Sequence, residues 1–121
     1  MSQDSIPHPV LGTDAFAVVT TTVTTSEDAS ALARALVEGQ FAACVQIVNV
    51  GSVYTWKGMV EEHPEWMLIC KIRAADYGDV EAAILALHSY ETPEILAVPV
   101  LDGFQPYLDW VAAATVRQDE E

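Results

Sequence analysis

An α+β domain of the ferredoxin-like βαββαβ type, extended by one C-terminal helix, is the fold that this 121-residue sequence predicts, and three observations predict it. Four runs, near residues 15–23, 41–56, 66–72 and 95–100, have the length and the β-branched or aliphatic content of strands. After the first and after the third of them, apolar residues recur at helical spacing. The resulting order is a split βαβ repeat, in which both main helices cover one face of an antiparallel sheet. A chain of this length holds one domain and one core.

Strand one is read over Ala15–Val23 (AFAVVTTTV), which is too short for a persuasive helix. Ala29, Leu32, Ala33, Leu36 and Val37 then fall at i, i+3, i+4, i+7 and i+8, the stripe of an amphipathic helix. Thr25-Ser-Glu-Asp28 offers a capping box at its start, and Gly39 stands where it should end. From Phe41 the chain reads as one long bent strand to Trp56, with a bulge expected at Gly51. Lys57-Gly58-Met59 is the expected turn, and if residue 57 opposes residue 60, Cys70 faces Ile47. The acidic stretch Glu61-Glu-His-Pro-Glu65 precedes strand three, Trp66–Ile72.

A second helix follows from about Asp76 to His88, with Tyr77, Val80, Ala83, Ile84 and Leu87 on one face. Ser89-Tyr-Glu-Thr-Pro93 breaks it, because proline disfavours a helical residue before it. Ile95–Val100 is strand four, and Pro99 marks its end or an exposed sheet edge. Pro106 suits the first position of a last helix whose apolar stripe is Tyr107, Trp110, Val111 and Ala114. Residues 1–14 read as a flexible N-terminal arm, 15–116 as the domain and 117–121 as a polar tail.

Strands two and three are apolar on both sides. Val45 and Ile47 oppose Cys44, Val48 and Val50 on strand two, and Met67 and Ile69 oppose Trp66, Leu68 and Ile72 on strand three. With helices on one side only, the second apolar face calls for self-association. Against 18 acidic side chains stand 5 basic ones, a formal charge of −13, which repels phosphate backbones and anionic lipid. Nucleic acid is therefore excluded as a partner, and no apolar run approaches the roughly 20 residues that span a bilayer. The first residues lack the basic and apolar regions of a signal peptide, which makes a cytosolic protein the expectation.

Few constellations point to chemistry. Cys44 and Cys70 have no CxxC spacing, and on the expected register they sit on opposite faces, as two buried thiols rather than a disulfide. His88, at the end of helix two, reads from the residues alone as a capping or hydrogen-bonded side chain. The Glu61–Glu65 cluster offers hard oxygen donors beside one imidazole, suited to weak uptake of a divalent ion or simply to a solvated strand end. No nucleophile with an adjacent base, no glycine-rich phosphate loop and no HExxH occur, so no enzyme is expected.

Four segments, taken in order, carry a family resemblance: Phe41-Ala-Ala-Cys-Val45, Tyr54-Thr-Trp-Lys-Gly58 with Glu61-Glu62, Leu87-His-Ser-Tyr-Glu-Thr-Pro-Glu-Ile95, and Tyr107-Leu-Asp-Trp110. Over roughly residues 15 to 115 the chain resembles the CutA proteins, linked to divalent cation tolerance. The resemblance implies a stable homotrimer with sheets packed inward, similar in architecture to PII signalling proteins. It implies divalent cations, copper especially, as partners, with no obligatory cofactor, and maps proposed metal ligands onto Cys44 and His88. Some members add a cysteine near the end of strand one, where this chain reads Val19-Thr-Thr-Thr-Val23. It also implies an inter-subunit pocket, here Tyr54, Trp56, Glu61, Lys71, His88, Glu91, Tyr107 and Trp110. The leading expectation is a trimeric metal-responsive protein; the alternatives are a PII-like sensor of a small anion or nucleotide between subunits, with Lys71 as the positive charge it needs, and a non-catalytic assembly scaffold.

Overall fold

The computed structural model describes residues 16–117, so the expected N-terminal arm and the tail beyond Arg117 lie outside the described residues. Its elements are β1 (Phe16–Val23), α1 (Ser26–Glu38), β2 (Cys44–Trp56), β3 (Met59–Arg73), a 3-10 turn (Ala74–Asp76), α2 (Tyr77–Leu87), β4 (Leu96–Val100) and α3 (Gln105–Ala114). The strands form one antiparallel sheet in the order β2-β3-β1-β4, the arrangement expected of a βαββαβ repeat.

Local chemistry places the elements. Thr25 caps α1, its Oγ1 accepting from the Asp28 amide at 3.0 Å, and Gly39 closes the helix by donating to Ala35. Ala29, Leu32, Ala33 and Leu36 of α1, with Val80 and Ile84 of α2, pack on Ala17, Val19, Leu68, Cys70 and Ile72 of the sheet. Pro99 lies on the edge strand β4, where a missing N–H costs no ladder bond.

The hairpin departs from the sequence reading in three ways. Its turn is Lys57-Gly58, with φ of 53° and 82°, the paired left-handed conformation of a two-residue hairpin loop. Trp56 therefore opposes Met59, and Cys70 faces Val45 instead of Ile47. The ladder runs unbroken from Cys44–Lys71 to Trp56–Met59 through Gly51–Pro64, so Gly51 carries no bulge. Finally, Glu61–Glu65 belongs to β3. Pro64 is accommodated because this stretch pairs with β2 alone and has one open edge.

The shifted register keeps Cys44 and Cys70 on opposite faces, and both are free thiols. Arg117, expected at the head of the polar tail, is buried: it donates to the Gln40 carbonyl and to Asp79 Oδ2, and its guanidinium lies 4.9 Å from the Phe41 ring centre. On α3 only Val111 is buried; Tyr107 and Trp110 are 41% and 47% exposed. The sheet face away from the helices is uncovered too, with Leu96 and Val98 more than half exposed.

Candidate functional site

Strand β1 ends at Val23 opposite Trp66, whereas β2 and β3 stay paired out to Trp56 and Met59. The outer half of the hairpin thus stands beyond the rest of the sheet. The segment after α2 crosses the sheet end on its way to β4. Between them lies a cleft of about 770 Å³, lined by Thr22, Glu65, residues 51–56 and residues 90–94.

A chain of hydrogen bonds fixes that crossing segment. The Tyr90 amide can only donate, so the 3.2 Å contact makes His88 Nδ1 the acceptor. Nε2 then carries the proton and donates to the Thr22 carbonyl at 2.8 Å. Both nitrogens of His88 are thus engaged, as the residues-only reading of a hydrogen-bonded terminal histidine has it. The Tyr90 hydroxyl donates to Glu65 Oε2 at 2.6 Å and accepts from Thr24 Oγ1 at 2.9 Å. Burial, then the Glu65 carboxylate beside it, raises the Tyr90 pKa above the ordinary phenol value, which keeps it a donor. Farther along, Thr20 Oγ1 donates to Glu94 Oε2 at 2.8 Å.

Of the eight expected pocket residues, Tyr54, Trp56 and Glu91 line the cleft. Glu61 is Tyr54's cross-strand partner and accepts from His63 Nε2 at 3.3 Å. His88 anchors the segment from behind, through Thr22. Lys71 belongs to the other end of the sheet, donating to Gln46 Oε1 at 2.9 Å. Tyr107 and Trp110 meet each other on α3, ring centres 5.5 Å apart.

The two expected metal ligands do not converge within one chain. Cys44 pairs with Lys71 on one flank of β3, whereas Thr22, which holds His88, pairs with Met67 on the other flank. Strand spacing puts the Cα atoms of Cys44 and Thr22 about 16 Å apart. Among the described residues no three His, Cys, Asp or Glu side chains gather as a metal site. Strand alternation also divides the acidic cluster, with Glu61, His63 and Glu65 on one face and Glu62 on the other. Cys70 is buried in the core, and that burial first, with neighbouring Cys44 second, pushes its thiol up to about 12.

Glu65, Tyr90 and Glu94 were not among the expected pocket residues. Each stood in a noted segment, the acidic stretch or the run Leu87–Ile95, but only the pairing of Glu65 with Val50 and the crossing of residues 88–94 bring them together.

The CutA1 divalent ion tolerance protein family model matches residues 17–114. A divalent-cation tolerance protein CutA of Thermus thermophilus is 41% identical over 99 residues, covering 81% of this chain and 96% of its own. The structure of the periplasmic divalent cation tolerance protein CutA from Archaeoglobus fulgidus superposes with a TM-score of 0.82 at 33% identity, covering 84% of this chain and 99% of that one. CutA1 from Oryza sativa gives a TM-score of 0.82 at 35% identity, with coverages of 84% and 94%.

Proposed function

The chain belongs to the CutA1 divalent ion tolerance protein family, and from that premise we propose that it acts in divalent cation tolerance as a cytoplasmic, non-catalytic homotrimer that binds divalent ions such as copper. One observation supports the assembly: the helix-free face of the sheet is apolar, with Leu96 at 59% and Val98 at 54% exposure. A face of that kind is rare on a monomer, and burial against copies of the same chain removes it from water. No helix among the described residues is long and apolar enough to cross a membrane.

Copper uptake, in this reading, uses Cys44 as the soft ligand and His88 as the nitrogen ligand, drawn from different copies because one chain holds them apart. Two donors from the side chains leave room for water or a third group. Sedimentation tests the assembly: a stable, folded 13.1 kDa particle at micromolar concentration would refute it. Copper titration calorimetry tests the ligands, with weaker uptake expected in Cys44→Ser and in His88→Ala. Equal uptake by wild type and both variants sinks the assignment.

The cleft favours a second reading, a sensor of a small molecule. Its volume of about 770 Å³ lies within the range of small-ligand sites, and it joins aromatic rings to a few placed polar groups.

A further inference from the structure

We infer that the cleft between the outer half of β2 and the 90–94 segment takes a small organic cation, a guanidinium or alkylammonium on an apolar stem. This rests on the small-ligand reading of the cleft and assigns the chemistry of its occupant.

The lining sets the charge. Glu65, Glu91 and Glu94 line the cleft and no Lys, Arg or His does, so an anion would meet three carboxylates against the one ammonium near the lining, Lys57 Nζ over the Trp56 ring. Glu65 carries the argument further. It is 7% exposed, and its Oε2 takes the Tyr90 hydroxyl, whereas Oε1 accepts no hydrogen bond among the described residues. Oε1 is not sealed off as Thr21 Oγ1 is, so an incoming donor can reach it, and charged donors satisfy a carboxylate oxygen best.

The remaining lining sets the size and the stem. A bare metal ion needs a close shell of donors, and although three carboxylates line the cleft, no three acidic, cysteine or histidine groups among the described residues come close enough to hold one. Tyr54, Trp56 and Val53 offer rings and apolar surface, which suit a cation with a hydrocarbon body. Trp56 already draws one cation in the chain, since Lys57 Nζ lies 5.6 Å from its ring centre. The net charge of −13 raises the local concentration of any cation.

The test is calorimetry in phosphate buffer on the full chain in its native assembly, with four probes of similar shape: n-butylguanidinium, n-butylammonium, neutral n-butylurea and anionic butyrate. Both cations are expected to bind at least about tenfold more tightly than n-butylurea. Trp56→Leu should weaken them about fivefold, and Glu65→Gln about tenfold. Because Glu65 also holds Tyr90, the exposed Glu91→Gln is the second variant, with a loss of about threefold. Binding of n-butylurea or butyrate as tightly as the cations, with the same loss in Trp56→Leu, overturns the cation assignment and leaves the small-ligand reading standing. Silence from all four probes overturns both, as does a crystal structure of the assembly with a side chain of a second copy filling the cleft.

Discussion

Replacing Tyr90 by Phe removes one hydroxyl and leaves the ring. That hydroxyl makes two hydrogen bonds, to Glu65 Oε2 at 2.6 Å and from Thr24 Oγ1 at 2.9 Å. The Thr24 bond is exposed, and water replaces it at little cost. The Glu65 bond is different, because its acceptor is a carboxylate only 7% exposed. A hydrogen bond to a charged group in such a place contributes about 2 kcal/mol. For a domain of this size the corresponding fall in Tm is about 8 °C. Urea denaturation at fixed protein concentration measures the loss, since the proposed assembly would make stability depend on concentration. Urea is preferred to guanidinium chloride, whose cation resembles the inferred ligand. The cycle of Tyr90→Phe, Glu65→Gln and the double variant isolates the pair, with a coupling of about 1 kcal/mol or more expected. A coupling near zero would refute the view that this bond holds the crossing segment against the hairpin.

Three further outcomes follow from the core and its edge. Thr21 Oγ1 is buried with no hydrogen-bond partner among the described residues, so the near-isosteric Thr21→Val should stabilise the protein by about 1 kcal/mol in the same urea assay. Arg117→Ala strips the bonds to the Gln40 carbonyl and Asp79, the 3.7 Å ion pair with buried Asp76 and the contact with Phe41, and should cost at least about 2 kcal/mol, read as a lower urea midpoint. The Cys70 thiol, raised from 9.0 unfolded to about 12 folded, binds its proton more tightly in the native state. Stability from this group is therefore whole below pH 9 and falls as pH rises from 9 toward 12, and Cys70→Ala should flatten that decline in a pH series of urea melts.

How much of this was legible in the sequence depended on whether the signal was local. The α1 stripe, the Thr25 cap and the four strands could be read directly because periodicity and capping act over a few residues. The hairpin register could not, because it depends on Lys57 adopting a positive φ beside Gly58, and a one-residue change in the turn moves every pair. The acidic run from Glu61 to Glu65 was hidden as strand for a related reason: its composition is poor in strand formers, and the ladder with β2 overrides that preference. Arg117 reads as tail by polarity alone, but Asp79 and the Gln40 carbonyl, distant in sequence, draw it in. The candidate site was half visible for the same reason. Tyr54, Trp56 and Glu91 stood out as residue types, whereas Glu65 acquires its role only when the sheet buries it and Tyr90 reaches it.

His88 joins the two readings of the site and limits how they can hold together. Its Nδ1 lone pair, the one a metal would need, accepts the Tyr90 amide, and its Nε2 proton holds the Thr22 carbonyl. A copper ion at Nδ1 must release the Tyr90 amide; one at Nε2 must displace the proton and free the Thr22 carbonyl. Either way the ion loosens the start of the segment that carries Glu91 and Glu94 into the cleft. An organic cation held by those carboxylates would steady the same segment. Two ligands that make opposite demands on one element weaken each other by equal factors, so the proposed copper at His88 and the proposed cation in the cleft of the same chain would compete without sharing a donor.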